Sequence, residues 1–462
     1  MLYSSTRGSD KNLNFTQILL NGLAKDGGLY VPNDLPLFKK KKLQALSKLD
    51  YANLAYQLTK HFISREISKK EYKEICSKTY KSSFGNEIIS IDKLNEFEFI
   101  ANLFHGPTYA FKDFALQLLG NIYDLILKKK KTKLTIIGAT SGDTGSAAIY
   151  GCSKSDNIKM FILYPEGKVS DVQRKQMTTF RKKNVFNIAV RGNFDDCQRL
   201  VKKFFNLNYK NKKMNLAAVN SINWVRIMGQ IIYYFWTYFR VSKNFEPFSF
   251  VVPTGNFGNA YAGYIAKKMG LPIKNIVIGS NKNDVLTRFF ESGSMVLKET
   301  KESLSPSMDI QVSSNFERLL FDFYKNEKII TKLFRELEIK KSFSINKKYL
   351  RQMRVLFQSG KLNDNDTLEA IKLIKKKYNI IIDPHSAVGY SVGKGVLKDS
   401  QKRIYLATAH YAKFLNTVNK AIKSKIKYPK RLSRLFELDE NFNLIDNDIG
   451  QLQDLIEKNS DC

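Results

Sequence analysis

Six short apolar runs constrain the fold of this chain more than any other feature. They are LTIIGA (134–139), KMFILYP (159–165), VFNIAV (185–190), FSFVVP (248–253), NIVIGS (275–280) and RIYLATA (403–409). Each is largely continuous rather than alternating, as a strand covered on both faces of a parallel sheet should be. Helical stretches separate them. Phe114, Leu118, Ile122 and Leu125 fall on one helical face, and KKKK at 128–131 closes that helix where cations suit the dipole. The repeat of strand and helix predicts an α/β protein with parallel-rich sheets.

At 462 residues the chain is too long for one core. The run IIYYFWTYF (231–239) is about half the roughly 20 residues that span a bilayer, so it predicts a buried helix and no membrane partner. No basic start followed by an apolar stretch marks a secretory signal. The four cysteines, Cys76, Cys152, Cys197 and Cys462, form no CxxC pair. A reducing, cytoplasmic compartment is the expectation. The four histidines show no metal spacing. The formal charge of +33 comes from lysines spread along the whole chain, without a zinc finger or basic-aromatic repeat. This reads as a solvated surface, not as a nucleic-acid interface. Residues 295–365 are strongly charged, helical or an insertion, and the segment after 430 carries little functional signal.

Three polar loops follow predicted strands. TSGDTGS (140–146) offers two glycines and the hydroxyls of Thr140, Ser141, Thr144 and Ser146 at a helix start. That arrangement suits an anion or a plain N-cap with a tight turn. PTGNFGN (253–259) repeats the arrangement without a Walker lysine or a metal-binding hydroxyl, and so suits a monophosphate that is held rather than transferred. Thr408 and His410 follow IYLA. Ligands gather at such strand ends in α/β sheets. Lys112 stands in AFKDF, among phenylalanines. A lysine there loses its charge readily and becomes a nucleophile, or else it lays its stem on the rings. A phosphate cup with an imine-forming lysine would suit pyridoxal phosphate (PLP).

The longer motifs carry a resemblance. YSSTRG (3–8), DGGLYVP (26–32), HGPTYAFKDFALQ (105–117), GATSGDTGSAA (138–148), GNFDDCQ (192–198), NSINWVRI (220–227), VPTGNFGNAYAGYIAKKMGLPI (252–273), SPSMDIQVSSNFERL (305–319), DPHSAVGY (383–390) and ATAHYAKF (407–414) run in one order over nearly the whole chain. With them the chain resembles the threonine synthases of the longer bacterial and fungal subgroup. The resemblance implies fold-type II PLP architecture: an N-terminal region (1–98), a smaller α/β domain (99–225), a larger one (226–430) and a C-terminal tail (431–462), with the cofactor in the cleft between the α/β domains. It implies a lyase that converts O-phospho-L-homoserine and water to L-threonine and phosphate, as a monomer or homodimer.

Residue by residue, Lys112 matches the Schiff-base lysine. Gly255, Asn256, Phe257, Gly258 and Asn259 match the cofactor-phosphate loop, and Thr408 matches the neutral partner of the pyridine nitrogen. Thr140, Ser141, Asp143 and Thr144 are expected at the substrate carboxylate. Arg7, Asn220, Ser221, Asn223 and Arg226 are candidates for the substrate phosphate. Two positions depart from the pattern: Asp143 stands where related enzymes often carry Asn, and Tyr411 stands where Pro usually follows the histidine. A phospho-lyase releasing 2-oxobutanoate would share these motifs. A binding protein that has lost catalysis fits less well, because AFKDFALQ is intact.

Overall fold

The computed structural model describes residues 1–63, 66–85, 87–211, 214–218 and 221–459. The chain forms two compact units. One comprises Met1–His105 and Ser221–Ile426, the other Gly106–Asn220 and Lys427–Cys462. In chain order the strands are β1 (Tyr3–Ser5), β2 (Tyr30–Pro32), β3 (Ser90–Lys93), β4 (Glu98–Asn102), β5 (Leu134–Ala139), β6 (Ile158–Pro165), β7 (Val185–Val190) and β8 (Leu216–Ala218). They continue with β9 (Phe248–Pro253), β10 (Ile273–Ser280), β11 (Ser294–Val296), β12 (Ser342–Ser344), β13 (Phe357–Lys361), β14 (Arg403–Ala407) and β15 (Asn443–Ile445).

The first unit holds a six-stranded sheet in the order β13-β10-β9-β14-β4-β3. It is parallel except for β3, which runs antiparallel to β4. The second unit holds a five-stranded parallel sheet in the order β15-β7-β6-β5-β8. All six apolar runs are strands of these sheets. Their residues are buried because helices cover both faces of a parallel sheet.

The helices needed below are α1 (Lys112–Lys130), α2 (Asp143–Cys152), α3 (Asp171–Thr178), α4 (Phe194–Asn211), α5 (Trp224–Val241), α6 (Gly258–Lys268), α7 (Phe316–Tyr324), α8 (Pro384–Val396) and α9 (Ile449–Asn459). The lysine run does close α1, and Lys131 caps it in the left-handed region at φ 50°. The aromatic run 231–239 lies inside α5, which is buried over most of its length. No helix among the described residues is long and apolar enough to cross a membrane.

Two expected boundaries meet a different arrangement. The division at residue 98/99 falls inside β4, which pairs with β3 on one side and, on the other, with β14, about 300 residues further along the chain. The segment expected as a tail carries β15, which pairs with β7, and α9, whose Leu452 and Ile456 enter the core with Cys197, Leu200 and Phe204 of α4. Those two apolar positions, one turn apart, are too few to register as periodicity. The charged region 295–365 holds α7, the helices Glu327–Lys340 and Lys347–Arg354, and the antiparallel pair β11/β12.

Candidate active site

In the first unit, β9 ends at Pro253 and α6 starts at Gly258. The intervening loop is braced from outside. Ser313 Oγ donates to the Gly255 carbonyl at 2.7 Å, and Asn315 donates to the Asn256 carbonyl through both its backbone N–H and its Nδ2, each at 3.1 Å. Arg318, fully buried, donates to the Tyr30 carbonyl (3.0 Å), the Ile222 carbonyl and Asn315 Oδ1. Burial pushes its guanidinium down to about 10. The loop carbonyls are thus turned toward the brace. Among the described residues, no backbone N–H from Gly255 to Asn259 has a protein acceptor. Phe257 takes the left-handed conformation at φ 61° to make this turn, which is strained for a side chain of its size.

Asn259 sits in the first turn of α6. Its Oδ1 accepts from Tyr233 (2.7 Å) and Tyr234 (2.9 Å), while its Nδ2 is buried without a partner among the described residues. The glycines serve a purpose other than ligand approach. A Cβ on Gly255 would lie 2.9 Å from the Ser307 carbonyl, so its bareness admits the bracing segment. Nearby, Thr408 follows β14 and is 6% exposed. Its backbone N–H donates to Ser386 Oγ, and Ser386 in turn donates to Asp383, the N-cap of α8. His385 bridges Asp383 Oδ1 (2.8 Å, through Nδ1) and the Ser307 N–H (3.2 Å, through Nε2). Because Nε2 accepts, the proton lies on Nδ1. Tyr411 opens the short 3₁₀ turn Tyr411–Phe414. Proline is favoured at the first position of a helix for its fixed φ; here tyrosine takes that position, and Thr408 still directly follows β14.

In the second unit, Lys112 is the first residue of α1. Its side chain is 11% exposed, and its Nζ lies 3.6 Å from Asp143 Oδ2 and 6.0 Å from the Phe111 ring centroid. The apolar setting expected for this lysine is therefore incomplete, because a carboxylate stabilises its charged form. Asp113 turns away and accepts from the Thr108 N–H (2.8 Å) and hydroxyl (2.9 Å). The 140–146 loop behaves unlike its counterpart. Thr140 Oγ1 accepts from the Gly142 N–H (2.9 Å) and the Gly145 N–H (2.8 Å), and Ser146 Oγ returns to the Gly142 carbonyl. Thr140 thereby braces the turn through its lone pairs, and its O–H is left to donate. Ser141 and Thr144 remain half-buried beside it.

The expected substrate-phosphate residues divide. Arg7 is committed to Glu317 through Nε (3.0 Å) and Nη2 (2.8 Å), and Thr6 joins it there at 2.6 Å. Asn223 caps α5 through Oδ1 and donates to the Leu19 carbonyl, fully buried. Both thus have protein partners in the first unit. Ser221 meets Ser314 at 3.1 Å. Arg226 lies buried in the first turn of α5. Asn220 and Cys462 lie outside the described residues. Unforeseen were Ser313, Asn315 and Arg318. SSNFERL was visible as a motif, but its contact with a loop some 60 residues earlier was not.

Similarity to known proteins falls on these same elements. A family profile described as "Threonine synthase N terminus" fits residues 2–80, "Pyridoxal-phosphate dependent enzyme" fits 92–341, and "Threonine synthase, C-terminal" fits 386–456. The chain is 43% identical to the threonine synthase of Pseudomonas aeruginosa, over 98% of this chain and 97% of that protein. The chain belongs to the threonine synthase family. The crystal structure of a PLP-bound threonine synthase from Brucella melitensis matches with a TM-score of 0.96 at 39% identity, covering 100% of both chains. That of the yeast threonine synthase matches with a TM-score of 0.93 at 38% identity, covering 99% of this chain and 98% of the other.

As a member of a PLP-dependent family, the chain should hold a phosphate and an aldehyde. Its residues fit both. The unmatched N–H groups of 255–259 and the orphaned Asn259 Nδ2 are donors without acceptors, which a phosphate supplies. Lys112, with its side chain 11% exposed, offers an amine to which an aldehyde can bind.

Proposed function

We propose that this chain is a PLP-dependent lyase that converts O-phospho-L-homoserine and water to L-threonine and phosphate. The observation that carries the reading is the cradle at 255–259: donors without a protein acceptor among the described residues, the Gly255 and Asn256 carbonyls braced by Ser313 and Asn315, and no basic side chain among them. Such a cup keeps a phosphate in place and suits a resident cofactor better than a phosphate in transit. PLP, when bound, supplies an electron sink for the substrate carbon that loses its proton.

The chain's own residues do the rest. Lys112 would hold the cofactor aldehyde. Its amine would move protons at the α and β carbons of the substrate, and being close it needs no second base. Thr408 offers a neutral hydroxyl to the pyridine nitrogen. Ser141 and Thr144, at the start of α2, receive the substrate carboxylate, and Arg226 is the cation for the substrate phosphate. We also infer a cytoplasmic setting, in keeping with Cys76 and Cys197, which are buried free thiols.

The test is a product assay beside a covalent trap. Purified protein given O-phospho-L-homoserine should form threonine and phosphate in equal amounts. Borohydride should fix the cofactor on Lys112, found by peptide mapping. Release of 2-oxobutanoate in place of threonine would make the chain a phospho-lyase on the same fold. A tag on a different lysine would overturn the assignment of Lys112.

A further inference from the structure

Asp143 has a place that the reaction scheme above leaves unexplained. It is the first residue of α2 and is buried, its side chain 5% exposed. A carboxylate so placed needs partners that fix both oxygens. Oδ1 accepts from Gln173 Nε2 at 2.9 Å, and Oδ2 faces Lys112 Nζ at 3.6 Å. Gln173 is itself fixed. It is the third residue of α3, with its side chain turned back to the Ser170 N–H in a capping box. Its approach to Asp143 passes over Gly142, where a Cβ would lie 2.5 Å from the Gln173 amide carbon and where φ is 121°. A glycine, a capping glutamine and an aspartate thus form one built assembly, aimed at the amine of Lys112.

We propose that Asp143 is a positioning residue that holds Lys112 as an ammonium ion and returns its nitrogen to one place whenever the amine is released. This rests on the reading of Lys112 given above. When the freed amine acts as a base, a substrate C–H bond breaks, its electron pair stays on carbon, and the proton forms a new N–H bond. The ammonium so produced needs a counter-charge in a buried site. Asp143 supplies it, and Gln173 keeps the carboxylate from swinging away.

The other charged groups on the elements around this pair are engaged elsewhere. Asp113 accepts from Thr108. Arg174 pairs with Glu440 and Asp171, and Lys175 with Glu440. Arg431 donates to the Pro107 carbonyl, and Lys154 to Gln117 Oε1. Asp124 binds Lys128 near the far end of α1.

The experiment reads the ionisation of Lys112 directly. Full-length protein freed of PLP is labelled with trace acetic anhydride across a pH series, and acetylation of Lys112 is quantified by peptide mass. PLP-loaded protein is titrated in parallel, following the pH midpoint of its near-visible absorbance band. Asp143→Asn should lower the Lys112 midpoint by roughly 1–2 pH units, since an opposite charge at this range shifts a pKa by about that much. Gln173→Met, which keeps the volume and drops the amide, should lower it by roughly half a unit. A group that only supported the fold would leave both midpoints alone. Midpoints equal to wild type in Asp143→Asn, with the borohydride tag still on Lys112, overturn this inference and leave the assigned function standing. A wild-type tag on a different lysine removes both. Should Asp143→Asn fail to fold, an unshifted Gln173→Met is enough to overturn it.

Discussion

The two glycine loops look alike in sequence and behave oppositely in space. TSGDTGS closes on itself: Thr140 takes two of its N–H groups, and the partners are two and five residues away. PTGNFGN is braced by Ser313 and Asn315, with Arg318 behind them, some 60 residues along the chain. A self-closed turn uses up donors that a ligand would need. A turn held by its carbonyls presents those donors outward. The second loop is therefore the one we propose as the cofactor cup. The first is a scaffold that carries Ser141, Asp143 and Thr144 at the start of α2.

Four outcomes would break or sharpen this contrast. The largest falls on the lysine of the second unit. Lys112→Ala should retain cofactor phosphate binding in the first unit yet lower turnover by about 10²–10⁴-fold. Threonine formation and equilibrium dialysis of PLP measure the two parts. Loss of PLP binding along with turnover would mean that the cup holds little by itself.

Arg318→Leu should be the most damaging change to the brace. It strands the Tyr30 and Ile222 carbonyls and Asn315 Oδ1 in a buried place, at about 3 kcal/mol or more. Urea melts would register this, and the cup should weaken with it. Stability within about 1 kcal/mol of wild type would show that the loop does not depend on the brace.

The next effect is on pH. His410, two residues past Thr408, has its pKa pushed down to about 4, first by burial and then by His105, against an opposing effect of Asp383 and with a smaller push from Lys413. It is neutral when folded, whereas an unfolded histidine titrates near ~6.5. Its contribution is therefore complete above about pH 6.5 and is lost as pH falls toward 4, by roughly 3 kcal/mol. The difference in melting between wild type and His410→Leu should change across that window and be flat above it. A constant difference from pH 4 to 7 would place the histidine in solvent.

The smallest effects make the sharpest pair. Asn315→Ala should weaken PLP about tenfold, near 1.4 kcal/mol, while Thr140→Val should cost about 1–2 kcal/mol of stability and leave PLP affinity unchanged. Calorimetric titration and thermal melts distinguish them. The opposite pattern would exchange the roles of the two loops.

Much of the site was legible because its pieces are local. A lysine among aromatics at a helix start, a glycine loop after an apolar run and a threonine at a strand end are each written within ten residues. Thr140, Arg7 and Asn223 have the residue types expected of a ligand site, and the structure also gives each of them protein partners. Arg7 is bound by Glu317, 310 residues away. No local pattern records such a pairing.

By itself the sequence determined the two parallel sheets, since continuous apolar runs between helical stretches can be buried in few other ways. Through its motifs it also determined the family. Tertiary structure alone decided which glycine loop keeps its donors, that residues 98–102 join 403–407, and that the last thirty residues complete the second sheet. The physical reason is common to all three. Hydrogen-bond satisfaction is a sum over every neighbour of a group, and most of these neighbours come from distant parts of the chain. Lys112 shows the division most clearly. Its flanking rings, visible in the sequence, favour a neutral amine, whereas Asp143, brought to 3.6 Å only by the packing of α2 against α1, favours the charged one.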